Sequence, residues 1–206
     1  MLLVVGGHSR NIGKTSLAAG LIRRMRDRRW TALKITQYGS GLCDHHQGDA
    51  ACGCKPEEGA EFALTEEYEP GKSDSGRFLA AGASRSFWLR VPAGELPRAG
   101  RTLAKILAQS ENTIVESNSV LELVRPDLFL MLMDFGCEDF KASSLRYMDR
   151  ADAFVVVDRG INAPLWDGVA RGLWDDKPRF LINPPRYVTP ELAGFVTAKL
   201  AGAAAR

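Results

Sequence analysis

MLLVVGGHSRNIGKT, residues 1–15, sets a short apolar run against a glycine pair and a Gly-Lys-Thr that opens a helix-like sequence. Leu2 to Val5 suits a buried strand. A turn after it would aim backbone N–H groups at a polyphosphate, and the positive end of the following helix would add to the attraction. The stretch therefore reads as a phosphate-binding loop, in which Lys14 reaches the β- and γ-phosphates and Thr15 offers its hydroxyl to Mg²⁺. Gly7, Ser9, Asn11, Ile12, Gly13 and Ser16 complete the cradle. The spacing departs from the usual one, which would place the first glycine at position 8; the chain has His8 there, and its loop runs Gly7, five residues, Gly13. A strand before and a helix after distinguish such a loop from a chance Gly-Lys-Thr.

Outward from the loop, apolar runs and helical periodicities alternate. Trp30 to Thr36, Ser84 to Val91, Asn112 to Val115, Leu128 to Met133, Ala153 to Val157 and Arg179 to Ile182 read as further strands. Their continuous apolar character suits parallel strands covered on both faces. Leu17, Leu21 and Met25 recur at helical spacing, which predicts a helix from about Lys14 to Arg29. A second helix is expected over Asp74 to Ala83, capped by Asp74 or Ser75 and stopped at Gly82. Another follows around Leu96 to Leu107, with later pieces at Ala142 to Arg150, Pro164 to Trp174 and Pro190 to Leu200, and a tail from Ala201 that frays. The pattern predicts an α/β fold of the three-layer P-loop NTPase type, a mostly parallel sheet of about seven strands with helices on both faces. One nucleotide-binding domain over residues 1–206 is the expected organisation.

At 206 residues with 45% apolar content the chain can bury a substantial core, and 27 Lys plus Arg against 25 Asp plus Glu leave a net charge of only +2. That balance lacks the basic footprint of a nucleic-acid binder. No apolar run is long enough to span a bilayer and the N-terminus lacks a charged leader, so no membrane partner and a cytoplasmic location are expected. From about 37 to 73 the periodicity is lost, and this long irregular insertion holds Cys43, His45, His46, Cys52 and Cys54. The group offers the thiolate and imidazole ligands Zn²⁺ prefers, but its order matches no standard finger; a polar loop with incidental cysteines is the alternative.

A nucleotide site also needs an acid to organise Mg²⁺, and two strands end in one, Glu116 and Asp134. The rule of four apolar residues followed by aspartate favours Asp134. Lys34 lies near the end of the second strand, where ligands of open α/β sheets sit. Asn183, after the last strand in FLINPP, stands where a base could be met or where a turn needs an asparagine.

Several motifs together resemble the molybdopterin-guanine dinucleotide biosynthesis protein B family of P-loop proteins: GGHSRNIGKTS, LKITQYG, Asp74-Ser75 with Ala81-Gly82-Ala83, and Val115-Glu116, within roughly Met1 to Met133. Ser117 stands where that family has glycine, and ITQYG where it has histidines. A second resemblance is to dethiobiotin synthetase and its ATP-dependent relatives, through the Gly-x5-Gly-Lys-Thr spacing, KITQYGSG and the Val-Glu strand end. These resemblances imply that Glu116 holds Mg²⁺ with Thr15, that Lys34 touches substrate or γ-phosphate, and that Lys14, Lys34, Asp74 and Glu116 carry the chemistry. They imply a Mg²⁺-dependent ATP- or GTP-binding protein with weak hydrolysis, acting beside a partner enzyme of cofactor biosynthesis. The alternative is an ATP-dependent small-molecule kinase or carboxylate ligase. The chain is also similar to nickel-inserting GTPases of hydrogenase and urease maturation, which would make the Cys/His loop a Zn²⁺ or Ni²⁺ site for metal delivery. A homodimer is expected.

Overall fold

The computed structural model describes residues 1–39 and 60–204. Their eight strands are β1 (Leu2–Gly7), β2 (Trp30–Tyr38), β3 (Ala63–Glu67), β4 (Arg85–Pro92), β5 (Asn112–Glu116), β6 (Leu128–Asp134), β7 (Ala153–Val157) and β8 (Arg179–Ile182). They form one sheet in the order β3-β4-β2-β5-β1-β6-β7-β8. All neighbours pair in parallel except β3, which runs antiparallel to β4 at the edge. The helices are α1 (Lys14–Arg24), α2 (Asp74–Ala81), α3 (Gly100–Ala108), α4 (Ala142–Tyr147) and α5 (Pro190–Ala204).

Side chains of a strand alternate between faces, so an apolar run covered on both sides must feed two cores. On β1, Leu3 and Val5 enter one cluster with Leu17, Leu21 and Ile22 of α1, Phe78 and Ala81 of α2, and Leu192 and Val196 of α5. Val4 enters the other, with Leu103 and Ile106 of α3 and Tyr147 of α4. The result is the expected three-layer α/β arrangement, helices on both faces of a mostly parallel sheet, with β1 near its centre.

Several element boundaries differ from the sequence reading. The eighth strand, β3, lies inside the stretch expected to be irregular; it is an edge strand held to β4 by polar pairs, Arg85 Nε to Glu66 Oε1 at 2.7 Å and Arg90 to Thr65 Oγ1 at 2.9 Å. Such a strand shows no apolar alternation. The first helix ends at Arg24 and gives way to a 3-10 turn at Arg26–Arg28. The cap of α2 is Ser73, whose hydroxyl accepts from the Gly76 N–H at 3.0 Å, rather than Asp74 or Ser75. Gly82 at φ 107° ends that helix as expected. No helix spans Pro164 to Trp174: the backbone has positive φ at Gly168 and only a 3-10 turn at Arg171–Leu173. Conversely, α5 runs on to Ala204, beyond the predicted point of fraying. The cysteine and histidine ligands proposed for Zn²⁺ or Ni²⁺, Cys43 to Cys54, lie outside the described residues. Among the described residues, no helix is long and apolar enough to cross a membrane.

Candidate phosphate and metal site

The end of β1 is fixed before the loop begins. Asn118, just beyond β5, accepts from the Gly7 N–H and donates to the Gly7 carbonyl, both at 2.9 Å, while Ser144 of α4 donates to the same carbonyl at 2.7 Å. The loop then turns through Asn11 at φ 53° and Gly13 at φ 102° into α1. The glycine at 7 has a spatial reason, because a Cβ there would meet Lys14 Cδ at 2.8 Å: the lysine stem lies across it. His8 is buried, with its ring 5.3 Å from Phe140 and 4.6 Å from Trp166, centroid to centroid. Burial lowers its pKa, although its contacts with the Cys137 and Leu132 backbone oppose that shift. The side chain that displaces the usual glycine thus anchors the loop in an aromatic pocket.

Gly13 is the second tight point. A Cβ there would lie 2.3 Å from Tyr187 Cε1. Gly13→Ala is therefore expected to cost about 1–2 kcal/mol through left-handed strain alone, with further loss from the tyrosine. Thermal denaturation should show a fall of about 2–8 °C; an unchanged melting temperature would mean that this turn relaxes freely.

The remaining groups converge because of sheet register. Lys34 pairs with Glu116 across β2 and β5, and Glu116 pairs with Val5 across β5 and β1, so both ionisable side chains reach the strand ends beside the loop. One buried Glu116 carboxylate accepts from Thr15 Oγ1 at 2.7 Å on one oxygen and from Lys34 Nζ at 2.5 Å on the other. Lys34 Nζ also lies 2.9 Å from Asp74 Oδ2. The packing of α2 on α1 and the sheet places Asp74 there. Arg77, one turn further along α2, approaches Asp74 at 3.7 Å and donates to Ser16 Oγ at 2.8 Å. These contacts link Thr15, Glu116, Lys34, Asp74, Arg77 and Ser16 in sequence around the loop.

The electrostatics follow from this crowding. Burial opposes the charge of Lys34, but the Glu116 and Asp74 carboxylates outweigh it and raise its pKa. Asp74 is also opposed by burial, yet the charge and hydrogen bond of Lys34, with Thr15 and Arg77, hold its carboxyl below the usual range. Lys14 donates to the Ser9 carbonyl at 2.5 Å, and burial together with repulsion from Lys34 and Arg10 brings it down to about 8 against the pull of Glu116 and Asp74.

Asp134 is held differently. Although its carboxyl is opposed by burial, Arg159 keeps it in the low range through Nε at 2.8 and 2.9 Å and an NH2 bond of 2.7 Å, with the Gly136 N–H adding a contact at 3.0 Å. Its two oxygens serve that arginine, whereas those of Glu116 serve Thr15 and Lys34. Asn183 is exposed and bridges to Arg186, and it is Tyr187 of the same turn that covers Gly13.

The donor set around Thr15 suits Mg²⁺: a hydroxyl and a carboxylate 2.7 Å apart are hard oxygen ligands, leaving other positions for water and phosphate. The sequence reading missed Arg77, Asn118, Ser144 and Tyr187. Only Arg77 carried a local signal, its place three residues after Asp74.

Solved structures similar to this chain include the following two. HypB from Helicobacter pylori, crystallised in complex with nickel, matches with a TM-score of 0.48 and 15% identity over 97% of this chain and 85% of that one. The "apo" form LpxK from Aquifex aeolicus in complex with ATP matches with a TM-score of 0.48 and 17% identity over 87% of this chain and 53% of that one. This chain therefore spans about half the length of that LpxK chain. Neither a family model nor a curated protein matches the sequence.

Proposed function

We propose that this protein binds a nucleoside triphosphate, ATP or GTP, with Mg²⁺ and hydrolyses it slowly, acting beside a partner enzyme of cofactor biosynthesis, as its resemblance to the molybdopterin-guanine dinucleotide biosynthesis protein B family suggests. The observation that carries the reading is the single buried carboxylate of Glu116 joining the Thr15 hydroxyl to the Lys34 ammonium, directly beside Lys14 and the glycine loop. Thr15 and Glu116 would hold Mg²⁺, which when bound supplies charge stabilisation to the phosphates. Lys14 and Lys34 would neutralise charge on the phosphate oxygens as the leaving group departs. Asp74 orients the Lys34 ammonium, and Arg77 steadies Asp74. Calorimetric titration of ATP and GTP with and without Mg²⁺, followed by phosphate release, tests the reading: Mg²⁺-dependent binding supports it, and no binding of either nucleotide removes it.

A second reading, transfer of the γ-phosphoryl group to a small molecule, is favoured by one feature. The Asp74 side chain is 42% exposed while its Lys34 partner is 18% exposed, so the pair faces an open approach. If a second substrate binds there, Lys34→Ala and Asp74→Ala should each lower turnover at least about a hundredfold while changing nucleotide affinity less than about threefold. If the protein acts through a partner, no metabolite will raise ADP or GDP release, and the same changes will weaken association with the partner. A metabolite-pool screen for stimulated nucleotide turnover separates the two.

A further inference from the structure

Beyond β6 the chain runs back along the phosphate loop. The His8 ring contacts the Cys137 carbonyl through Nε2 at 3.3 Å, Ser9 donates to the Asp139 carboxylate, the Lys141 N–H donates to the His8 carbonyl at 2.8 Å, and Ser144 donates to the Gly7 and His8 carbonyls at 2.7 and 3.1 Å. Residues 137–144 are thereby tied to three consecutive loop residues. The tie fixes the backbone of Lys141 next to the loop, although nothing in the local sequence marks it as a site residue.

We propose that Lys141 is an additional phosphate ligand of the nucleotide site, held beside the loop by this strap. The inference rests on the nucleotide reading above and adds a residue to it. The groups facing Lys141 are mostly of its own sign: Lys14 at the start of α1, Arg10 of the loop and Lys34 of β2 repel it, and Asp139 on its own segment attracts it more weakly. Asp139 also accepts from Ser9, so its carboxylate is shared. Burial and these cations bring Lys141 down to about 7. Holding an ammonium half-buried against other ammonium groups is unfavourable until an anion arrives, and such arrangements are characteristic of functional sites. A triphosphate supplies the missing negative charge and would raise the pKa of Lys141. The sign follows: a proton enters as the nucleotide binds, so affinity is greatest below about pH 7, where Lys141 is already charged, and weakens as the pH rises.

The test compares wild type, Lys141→Ala and Lys141→Arg for binding of ATP, GTP and inorganic tripolyphosphate with Mg²⁺ at pH 7 and pH 9. Lys141→Ala should weaken binding of all three at pH 7 by at least about tenfold, the loss of one charge-assisted phosphate contact. Lys141→Arg should restore affinity to within about threefold and show a smaller fall between pH 7 and 9, because guanidinium stays charged. Equal affinity of wild type and Lys141→Ala at both values would overturn the inference and leave the nucleotide reading intact. A loss in Lys141→Arg as large as that in Lys141→Ala would assign the residue a packing role and also overturn it. Failure of wild type to bind any of the three ligands would overturn the nucleotide reading itself.

Discussion

Lys14→Ala is expected to lower nucleoside-triphosphate affinity by at least about a hundredfold, near 2.7 kcal/mol, while leaving the protein folded. The lysine stem lies across Gly7, so its ammonium is delivered to the phosphate loop by a backbone that no residue with a Cβ could provide unchanged. Lys14 belongs to neither apolar cluster, and removing it takes nothing from the two cores. Burial and the neighbouring Lys34 already penalise its charge, so the folded state forfeits mainly the bond to the Ser9 carbonyl. Calorimetric titration with ATP and GTP alongside thermal denaturation by circular dichroism checks both halves of the expectation. Wild-type affinity in a folded variant would show that this loop does not bind phosphate, whatever its sequence resembles.

What the sequence made legible, and what it did not, divides along the range of the forces involved. The strand–loop–helix unit of β1 and α1 is local: an apolar run, glycines and a helical period specify it within residues 1–24. Lys34 and Glu116 stand out because apolar strands end near charged groups, but their meeting depends on β5 lying between β2 and β1. That order is a property of the whole sheet. The edge strand β3 escapes notice because polar cross-strand pairs stabilise it, including the Arg85–Glu66 ion pair, and apolar alternation is missing. The stretch from Pro164 to Trp174 misleads in the opposite sense. Its apolar residues look helical, yet Trp166 and Trp174 instead pack around Phe135, and Trp166 also closes the pocket of His8. Lys141 and Tyr187 lie outside strands, in segments whose path is set by contacts with the loop itself, where no periodicity announces a role. The departure at His8 gains its explanation the same way, since only the folded chain reveals an aromatic pocket waiting for the ring.

Glu116→Gln should reduce Mg²⁺-dependent turnover at least about a hundredfold, whereas Asp134→Asn should change it less than about threefold, if Glu116 is the acid that organises the metal. Both substitutions keep the shape of the side chain and remove its charge, so the comparison is internal to the protein. Glutamine at 116 could still accept from one partner, but its amide N–H group would face the Thr15 hydroxyl or the Lys34 ammonium, a donor against a donor in the latter case. Among the described residues Lys34 would keep Asp74 as its counter-charge, and a loss of stability should accompany the loss of turnover. Mg²⁺ titration of turnover distinguishes the two effects, since a missing ligand raises the Mg²⁺ requirement while a merely loosened fold lowers the amplitude. At Asp134 the partner is Arg159, whose side chain is 57% exposed and can be solvated once the carboxylate is neutralised. Its loss should therefore leave the phosphate loop in place. A larger loss of turnover at Asp134 than at Glu116, with an altered Mg²⁺ requirement, would transfer the metal to the end of β6 and demand that Arg159 release its carboxylate when the nucleotide binds.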